Sequence, residues 1–293
     1  MQHKNIVEEN IMTIGIVGQG FVGSAIREGL KTYYNIYTYD LDRSLCNCES
    51  LGELIDKSNF IFVCLPTPMR KDGSCSTKIV EDVVHDIDTY CQSNLSDPRI
   101  VIIKSTVPPG TTQRINDECE SISVVFSPEF LTEANSFDDF KNQTRIIIGG
   151  TRPSSSHVKT MFRKAFPTIP IIKTSSSHAE MVKYFINCFL STKVSFSNEM
   201  YQICERLNID YDKVIEYVLY DSRLGKSHFS VPGPDGHMGF GGHCFPKDLA
   251  ALIVVSRELG IQPVVLGAVK GKNDEVRTVR DWETMKGRAV IDE

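Results

Sequence analysis

The segment GFGGHCFPKD, residues 239–248, brings together side chains that could carry out covalent chemistry. Proline is favoured in the first turn of a helix, so Pro246 predicts a helix through KDLAALIVVSREL with Cys244 just before its N-terminus. The positive end of the helix dipole and Lys247 are expected to favour the nucleophilic thiolate form of the cysteine. Asp248 could orient a water molecule or accept a proton.

The alternative for Cys244 is a structural cysteine in a turn, because free cysteines are most often buried and unreactive. Glycines directly before it would let a ligand approach the backbone closely. These glycines, the helix start and the two charged neighbours together favour a reactive cysteine over a structural one.

A second pair of candidate residues lies in MVKYFINCF, where Lys183 and Asn187 are one helical turn apart among apolar neighbours. A lysine at such a position either extends its ammonium group to water or lines a closed site. Together with Asn187 it offers two hydrogen-bond donors that could hold a developing oxyanion.

The loops CLPTPM and KSTVPPGTT are expected where strands end, which is the edge at which open α/β sheets bind ligands, and SPEFLTE adds to them. KSTVPPGTT, residues 104–112, carries Ser105 and Thr106. SPEFLTE carries Glu129 and Glu133, which would share one face if the segment were helical. The alternative for these carboxylates is a solvated surface, but their position after a strand and a proline favours function.

The segment GIVGQGFVG indicates a dinucleotide site, with Gly18, Gly20 and Gly23 between a predicted strand and a predicted helix. The first glycine makes the tight turn, the second lets the backbone approach a pyrophosphate, and the third lets the helix pack on the strand. The helix N-terminus, which begins with Phe21 and Val22, would bind the phosphates. The alternative is an ordinary strand–turn–helix unit.

Asp40, at the end of the second predicted strand, could accept hydrogen bonds from both ribose hydroxyls and would repel the extra phosphate of NADP. The expected cofactor is therefore NAD. Arg43 leaves this choice partly open, because it could bind the adenosine diphosphate or admit a 2′-phosphate. Thr67 and Pro68, in the loop CLPTPM, would pass beside the cofactor.

Strands and helices alternate through about residue 175, which predicts a doubly wound, Rossmann-like parallel sheet covered on both faces. A long helix is predicted from about Ser177 to Asn208, where no glycine or proline occurs. Its length favours a helix that bridges domains or packs against a partner subunit. We therefore expect an α/β NAD-binding domain at residues 1–175 and a helical dimerisation domain at residues 176–293, which carries the cysteine loop.

Composition restricts the class of protein. The net charge is −5 and no long basic run occurs, which argues against nucleic acid as a partner. The chain has no apolar run of the ~18 residues typical of a membrane span, and the polar segment MQHKNIVEEN does not resemble a signal peptide. Nine cysteines without framework spacing fit free thiols in the cytoplasm, and no metal site is expected.

Seven segments, in this order along the chain, resemble the motifs of the nucleotide-sugar dehydrogenase family, which includes UDP-glucose and GDP-mannose 6-dehydrogenases. They are GIVGQGFVG, FVCLPTP, KSTVPPGTT, SPEFLTE, KYFINCFLSTKVSFSNEM, DSRLG and GFGGHCFPKD. The cysteine segment looks more like the UDP-glucose branch. The resemblance implies oxidation of a primary alcohol to a carboxylate in two hydride transfers that consume two NAD.

The resemblance also implies residue roles. Cys244 would attack the intermediate aldehyde to form a thiohemiacetal and then a thioester, while Lys183 and Asn187 stabilise oxyanions and bind the substrate. Thr106, Glu129 and Asp248 would position water and relay protons. The resemblance implies that the cofactor is contacted by Ser105, Thr106, Glu133 and Lys247. It implies that the sugar nucleotide is contacted by Glu129, Phe130, Leu131, Phe240 and Gly241. Arg223 would reach the substrate of a neighbouring subunit, which implies a homodimer through the long helix.

The family normally continues into a third domain that holds much of the nucleotide, and this sequence is expected to stop about where that domain would begin. A minimal enzyme, an enzyme completed by another polypeptide, and an enzyme with a smaller or different substrate all remain open. Two further alternatives are a simple β-hydroxyacid-type dehydrogenase and a non-catalytic nucleotide-binding subunit. The first would need no nucleophilic cysteine.

Overall fold

The structure, a computed structural model, describes residues 12–292. The polar segment of residues 1–10, which was expected not to be a signal peptide, lies outside these residues. The chain divides into two compact units. Unit 1 takes the chain up to Leu65 together with Val80–Ser105 and Pro109–Ala179, and unit 2 takes Pro66–Ile79, Thr106–Pro108 and the chain from Glu180 onward.

Unit 2 therefore contains two short segments, residues 66–79 and 106–108, that lie before the sequence-based boundary at residue 175. Long-range hydrogen bonds hold the first segment in unit 2. The Met69 N–H donates to the Ala289 carbonyl at 2.8 Å, and the Ile291 N–H donates to the Met69 carbonyl at 2.9 Å. These contacts join residues distant in sequence, so the sequence pattern does not record them.

The described part of unit 1 is built on seven strands and six helices. The strands are β1 (Thr13–Val17), β2 (Asn35–Tyr39), β3 (Phe60–Val63), β4 (Arg99–Ile103), β5 (Ile122–Phe126), β6 (Ile146–Gly149) and β7 (Ile171–Thr174). The helices are α1 (Phe21–Leu30), α2 (Leu51–Lys57), α3 (Lys78–Asn94), α4 (Thr111–Glu118), α5 (Ser136–Lys141) and α6 (Ser154–Ala165).

The strands form one sheet in the order β2-β1-β3-β4-β5-β6-β7. All four residues of β3 are buried, because helices cover both faces of the sheet. The buried core includes Ile14 and Ile16 of β1, Phe62 of β3, and Phe162 of α6. The predicted Rossmann-like α/β fold is thus confirmed.

One pairing in this sheet differs from the expected parallel arrangement. Strands β1 to β5 run parallel to their neighbours, but β6 pairs with β5 in the antiparallel direction, at Phe126 and Gly149. Strand β7 is again parallel to β6. The apolar run Ile146–Ile148 is buried whichever way the strand points, so its pattern carries no information on direction.

Unit 2 is mainly helical within the described residues. Its helices are α7 (Ser176–Leu207), α8 (Tyr211–Val218), α9 (Cys244–Glu258) and α10 (Val264–Val276). The first residues of α7, up to Ala179, belong to unit 1. The predicted long helix is confirmed: α7 has 32 residues, which corresponds to about 48 Å at ~1.5 Å per residue. An apolar cluster of Cys188, Phe240, Leu249, Ile253 and Val269 joins α7, α9 and α10.

Among residues 12–292, no helix combines the length and the apolar character that crossing a bilayer would require.

Candidate active site

The glycine loop of unit 1 has the geometry of a dinucleotide-binding turn. Gly18 has a φ of +90°, and a Cβ atom there would lie 2.3 Å from the Cys64 carbonyl oxygen. A Cβ atom on Gly23 would lie 1.9 Å from the Gly18 carbonyl oxygen. Both glycines are therefore required by the fold itself. A Cβ atom on Gly20, by contrast, would meet no atom within 4 Å.

The space beside Gly20 lies at the N-terminus of α1, because Gly20 is the N-cap of this helix. Glycine has no side chain to cap the first N–H groups of the helix, and such groups bind phosphate well. Phe21 and Val22 form the first two positions of the helix. The loop therefore fits the pyrophosphate of a dinucleotide.

Asp40 is held beside this loop at the end of β2. Its Oδ2 accepts a hydrogen bond from the Gln19 N–H at 2.6 Å, and its Oδ1 accepts one from the Asp42 N–H at 2.9 Å. A carboxylate has about four acceptor positions, so capacity remains for a ribose hydroxyl. Arg43 is anchored by protein groups, since its Nη1 donates to the Glu49 carbonyl at 2.8 Å and its guanidinium lies over the Tyr39 ring.

Alanine substitutions at Gly20 and Gly23 are expected to affect different properties, NAD binding in the first case and thermal stability in the second. Gly20→Ala should leave the thermal unfolding temperature unchanged, because the backbone there is extended (φ −62°, ψ −169°) and the space is open. It should weaken NAD binding by about tenfold, because overpacking costs ~1–3 kcal/mol and 1.4 kcal/mol is a factor of ten. Gly23→Ala should instead lower the unfolding temperature. Calorimetric NAD titration and thermal unfolding measure both effects.

The control for this pair is Gly267→Ala in α10, where an added methyl group also meets no atom within 4 Å. This variant should bind NAD like the unmodified protein and should be slightly more stable, because alanine is the better helix former. An unchanged NAD affinity in Gly20→Ala would contradict the assignment of the pyrophosphate to this space.

The acidic segment after β5 forms a loop, since α5 begins only at Ser136. Glu129 and Glu133 therefore lie in a loop and do not share the face of a helix. Glu129 is buried, and its Oε2 accepts a hydrogen bond from the Leu131 N–H at 2.6 Å, whereas Glu133 is exposed. Phe130 lies under the Arg145 guanidinium, 4.3 Å from the ring centre. Several of these residues, with Lys104, line a cavity of about 250 Å³.

Ser105 connects the ends of two neighbouring strands. Its Oγ accepts a hydrogen bond from the Leu65 N–H at 2.9 Å and lies 3.5 Å from the Val63 carbonyl oxygen. The hydroxyl thus orders the exit of β3, and the next residue, Thr106, belongs to unit 2.

In unit 2, Cys244 is the first residue of α9, with His243 as the N-cap. The helix therefore begins slightly earlier than predicted, because Pro246 occupies its third position, where the backbone N–H is not needed for an intrahelical bond. Cys244 thus sits in the first turn, where the helix dipole favours negative charge.

Lys247 and Asp248, one turn further along α9, form a buried ion pair with an Nζ–Oδ1 distance of 2.5 Å. Only 8% of Lys247 and 1% of Asp248 is exposed. Burial alone would lower the pKa of Lys247, but the Asp248 carboxylate and the nearby Cys75 and Cys244 sulfur atoms raise it overall. The ammonium group is therefore charged at neutral pH and lies near the Cys244 thiol.

Asp248 also joins α9 to α7. Its Oδ2 accepts a hydrogen bond from the Asn187 Nδ2 at 2.6 Å, so each carboxylate oxygen receives a donor from a different residue. Lys183, one turn before Asn187 on α7, is buried as well. The sequence-predicted residues Asn187, Lys247, Asp248 and Cys244 are thereby brought together within unit 2.

Unit 2 adds two residues that sequence reasoning missed, Cys75 and Tyr184. The Thr67 hydroxyl donates to the Thr106 carbonyl at 2.8 Å, and the Cys75 sulfur lies 3.8 Å from that same oxygen. Burial raises the pKa of Tyr184 well above its usual value, and the Cys75 thiol beside it acts in the same direction. No local pattern marks Cys75, since it stands alone between a turn and a helix.

Cys188 provides a contrast to Cys244. It lies in the interior of α7, and burial raises the pKa of its thiol to about 12, with Asp248 acting in the same direction. Such a thiol is almost entirely protonated at neutral pH and is a poor nucleophile.

All nine cysteines are free.

The remaining predicted substrate residues have different environments. The Phe240 side chain belongs to the apolar cluster of unit 2 and meets Phe245 edge to face. At Gly241, a Cβ atom would lie 2.1 Å from the Arg277 guanidinium, so protein fills that side of the glycine. The Arg223 side chain is 86% exposed and is held by Asp221.

A doubly wound sheet with a glycine loop at a helix N-terminus, followed by a helical unit with a buried lysine, defines the architecture of dinucleotide-dependent dehydrogenases. The chain belongs to the UDP-glucose/GDP-mannose dehydrogenase family. Residues 28–166 match the family's NAD binding domain, and residues 177–275 match its central domain. The predicted family and the predicted cofactor, NAD, are thus confirmed.

Curated relatives and a solved structure agree with this assignment. The UDP-glucose 6-dehydrogenase TuaD of Bacillus subtilis is 34% identical over 244 residues, which cover 81% of this chain and 51% of that protein. The putative UDP-glucose 6-dehydrogenase YtcA of the same organism is 30% identical over 320 residues, covering 94% and 72%. A UDP-glucose dehydrogenase from Pyrobaculum islandicum superposes with a TM-score of 0.82 at 27% identity, covering 92% and 69%.

The chain thus spans about half the length of TuaD and 72% of YtcA.

Proposed function

We propose that this protein oxidises the C6 primary alcohol of a nucleotide sugar to a carboxylate, with UDP-glucose as the substrate. The observation that carries the proposal is the buried cluster of Lys247, Asp248 and Asn187 beside Cys244 at the first turn of α9. A cluster of buried charges next to a thiol has no need to exist in a protein that only binds nucleotide. The names of the relatives, a UDP-glucose 6-dehydrogenase and a putative UDP-glucose 6-dehydrogenase, support the choice of substrate.

The proposed chemistry gives each residue of this cluster a role. The Cys244 thiolate adds to the aldehyde carbon formed in the first oxidation, the π bond of the C=O group breaks, and the former carbonyl oxygen carries the negative charge of the thiohemiacetal anion. Lys183 and Asn187 are donors for this oxygen. After the second oxidation the carbon is part of a thioester, which water cleaves to the carboxylate and the free thiol, and Asp248 is proposed to accept a proton.

NAD held at the glycine loop would accept one hydride in each of the two oxidations. Gly20 and the first turn of α1 would hold its pyrophosphate, and Asp40 would hold its adenosine ribose. Glu129 and Thr106 are proposed to position water, and Glu133 to contact the nicotinamide end, as the family resemblance implies. This chemistry, together with nine free thiols, fits a location in the reducing cytoplasm.

The test is a stoichiometry measurement on the purified protein with NAD and a panel of nucleotide sugars that includes UDP-glucose and GDP-mannose. We expect two NADH per UDP-glucose consumed and little NADPH when NADP replaces NAD. One NADH per substrate would contradict the thioester route. NAD binding without turnover of any nucleotide sugar would favour a non-catalytic subunit, and turnover that survives alkylation of Cys244 would favour a simple β-hydroxyacid-type enzyme.

We further propose that two copies of the chain associate through α7. Six apolar side chains on this helix are between 41% and 66% exposed, namely Met181, Phe185, Phe189, Phe196, Ile203 and Leu207. At 100° per residue they all fall on one narrow face that runs the length of the helix. An exposed apolar stripe of this kind marks an interaction surface, and a two-fold pair of helices would bury both copies at once.

Phe185→Glu is therefore expected to convert a dimer into a monomer at micromolar concentration, because the charge would be buried in the contact. Light scattering coupled to gel filtration measures the mass. The control is Leu259→Glu, since Leu259 is 70% exposed and lies at the C-terminal end of a different helix, α9. A monomeric unmodified protein, or a dimer that survives Phe185→Glu, would contradict the proposal.

A further inference from the structure

The loop that leads into Cys244 contains three glycines, at positions 239, 241 and 242. Gly239 and Gly242 both have a φ of +68°, a conformation that side chains disfavour. Because glycine is the most flexible residue, this sequence does not by itself specify one conformation. The order of the loop must therefore come from the side chains around it.

Two side chains from the C-terminal part of unit 2 bind the loop backbone directly. The Asn273 Oδ1 accepts a hydrogen bond from the Phe240 N–H at 2.7 Å, and its Nδ2 donates to the Phe240 carbonyl at 3.0 Å. Asn273 thus satisfies both backbone groups of one residue, as a neighbouring strand would. The Asp281 Oδ2 accepts a hydrogen bond from the Gly242 N–H at 2.9 Å.

Arg277 fills the space between these two residues. Its side chain is only 1% exposed and forms ion pairs with Asp235 at 2.7 Å and with Asp281 at 3.2 Å. The Nε donates to the Val279 carbonyl at 2.7 Å. A Cβ atom on Gly241 would lie 2.1 Å from the guanidinium, so the loop backbone rests directly against Arg277.

These contacts end immediately before the reactive residue. Gly242 is followed by His243, the N-cap of α9, and then by Cys244. The hydrogen bond from the Gly242 N–H to Asp281 therefore restrains the backbone two residues before Cys244. The group formed by Asn273, Arg277 and Asp281, which we call the α10 clamp, contacts the loop that leads into Cys244.

We propose that the α10 clamp is a set of positioning residues that hold the glycine loop so that the Cys244 thiol stays at the N-terminus of α9 beside Lys247. This proposal rests on the proposed function in one respect, which is that Cys244 is the reactive group. Its test therefore follows the thiol itself and requires no turnover.

The experiment measures the rate at which iodoacetamide alkylates Cys244 in the folded chain across a pH series, using peptide mass spectrometry. Arg277→Lys keeps the positive charge but loses the planar fork that joins two carboxylates. We expect the alkylation rate at neutral pH to fall by about tenfold, because less of the thiol is ionised once it is displaced from the helix N-terminus and Lys247. The pH midpoint should move toward ~8.5, the value of an ordinary cysteine.

The matched control is Ser195→Ala. The Ser195 hydroxyl is buried and donates to the Val269 carbonyl at 2.9 Å, so this substitution weakens the packing of α7 on α10 without touching the loop. It should lower the unfolding temperature and leave the Cys244 profile unchanged. Cys46 in unit 1 serves as an internal reference, and its alkylation should be the same in every variant.

Asp281→Asn is the second variant, in case Arg277→Lys fails to fold. It retains the size of the side chain, loses the charge that pairs with Arg277, and should shift the Cys244 profile in the same direction. Profiles that coincide with the unmodified protein in both folded variants would overturn the proposal, as would an equal shift in Ser195→Ala. A shifted profile in a protein that turns over no nucleotide sugar would support the clamp and reject the proposed function.

Discussion

Replacing Cys244 by serine is expected to lower NAD-dependent turnover of UDP-glucose by on the order of 10³-fold or more, as removal of a catalytic nucleophile does. The physical reason is that a serine hydroxyl in the first turn of α9 is not ionised at neutral pH, even beside Lys247. Turnover that remains should stop at the aldehyde and yield one NADH per substrate. Steady-state NADH formation and product analysis measure the two effects.

The control is Cys119→Ser, which alters a cysteine at the C-terminal end of α4 in unit 1. Burial raises the pKa of that thiol to about 12, so it should contribute nothing to reactivity. The control should retain the full rate and two NADH per substrate. A Cys244→Ser variant that still forms two NADH at a comparable rate would reject the covalent route and with it the central part of the proposed function.

Replacing Asp248 by alanine is expected to lower the free energy of unfolding by about 3–5 kcal/mol, because it leaves a buried charge on Lys247 without its partner. The same change removes the acceptor of the Asn187 amide. Urea unfolding at pH 7, followed by circular dichroism, measures the loss. The variant should also be inactive, since the cluster beside Cys244 is dismantled.

Asp274→Ala provides the control, because Lys270 and Asp274 form an exposed ion pair at 2.6 Å. Exposed pairs contribute about 0–1 kcal/mol, so this variant should be nearly as stable as the unmodified protein. The double variant Lys247→Met/Asp248→Leu should recover much of the stability lost in Asp248→Ala while staying inactive, since apolar side chains of similar volume replace a buried pair well. Equal losses in Asp248→Ala and Asp274→Ala would show that the Lys247–Asp248 pair is solvated.

The local elements of the molecule could be predicted from the sequence because their cause is local. Continuous apolar runs predict strands buried on both faces, and the absence of glycine and proline predicts the long helix that extends from Ser176 to Leu207. The direction of β6 could not be predicted, because a run such as Ile146–Ile148 has the same pattern in either direction. The loop conformation of Glu129 and Glu133 was likewise decided by the surrounding fold.

In the candidate site, too, the groups of residues that are close along the chain could be predicted from the sequence. Cys244, Lys247 and Asp248 lie within two turns of one helix, and Lys183 and Asn187 lie within one turn of another, so their spacing alone shows each group.

By itself, the sequence determined the type of each element, the glycine loop and the members of each local group of reactive residues. Only the tertiary structure decided that Asn187 bonds to Asp248, that Cys75 lies near Lys247, and that Asn273 holds Phe240. The physical reason is that these contacts join segments far apart along the chain. No local period or spacing encodes such contacts, and they form only when the helices pack.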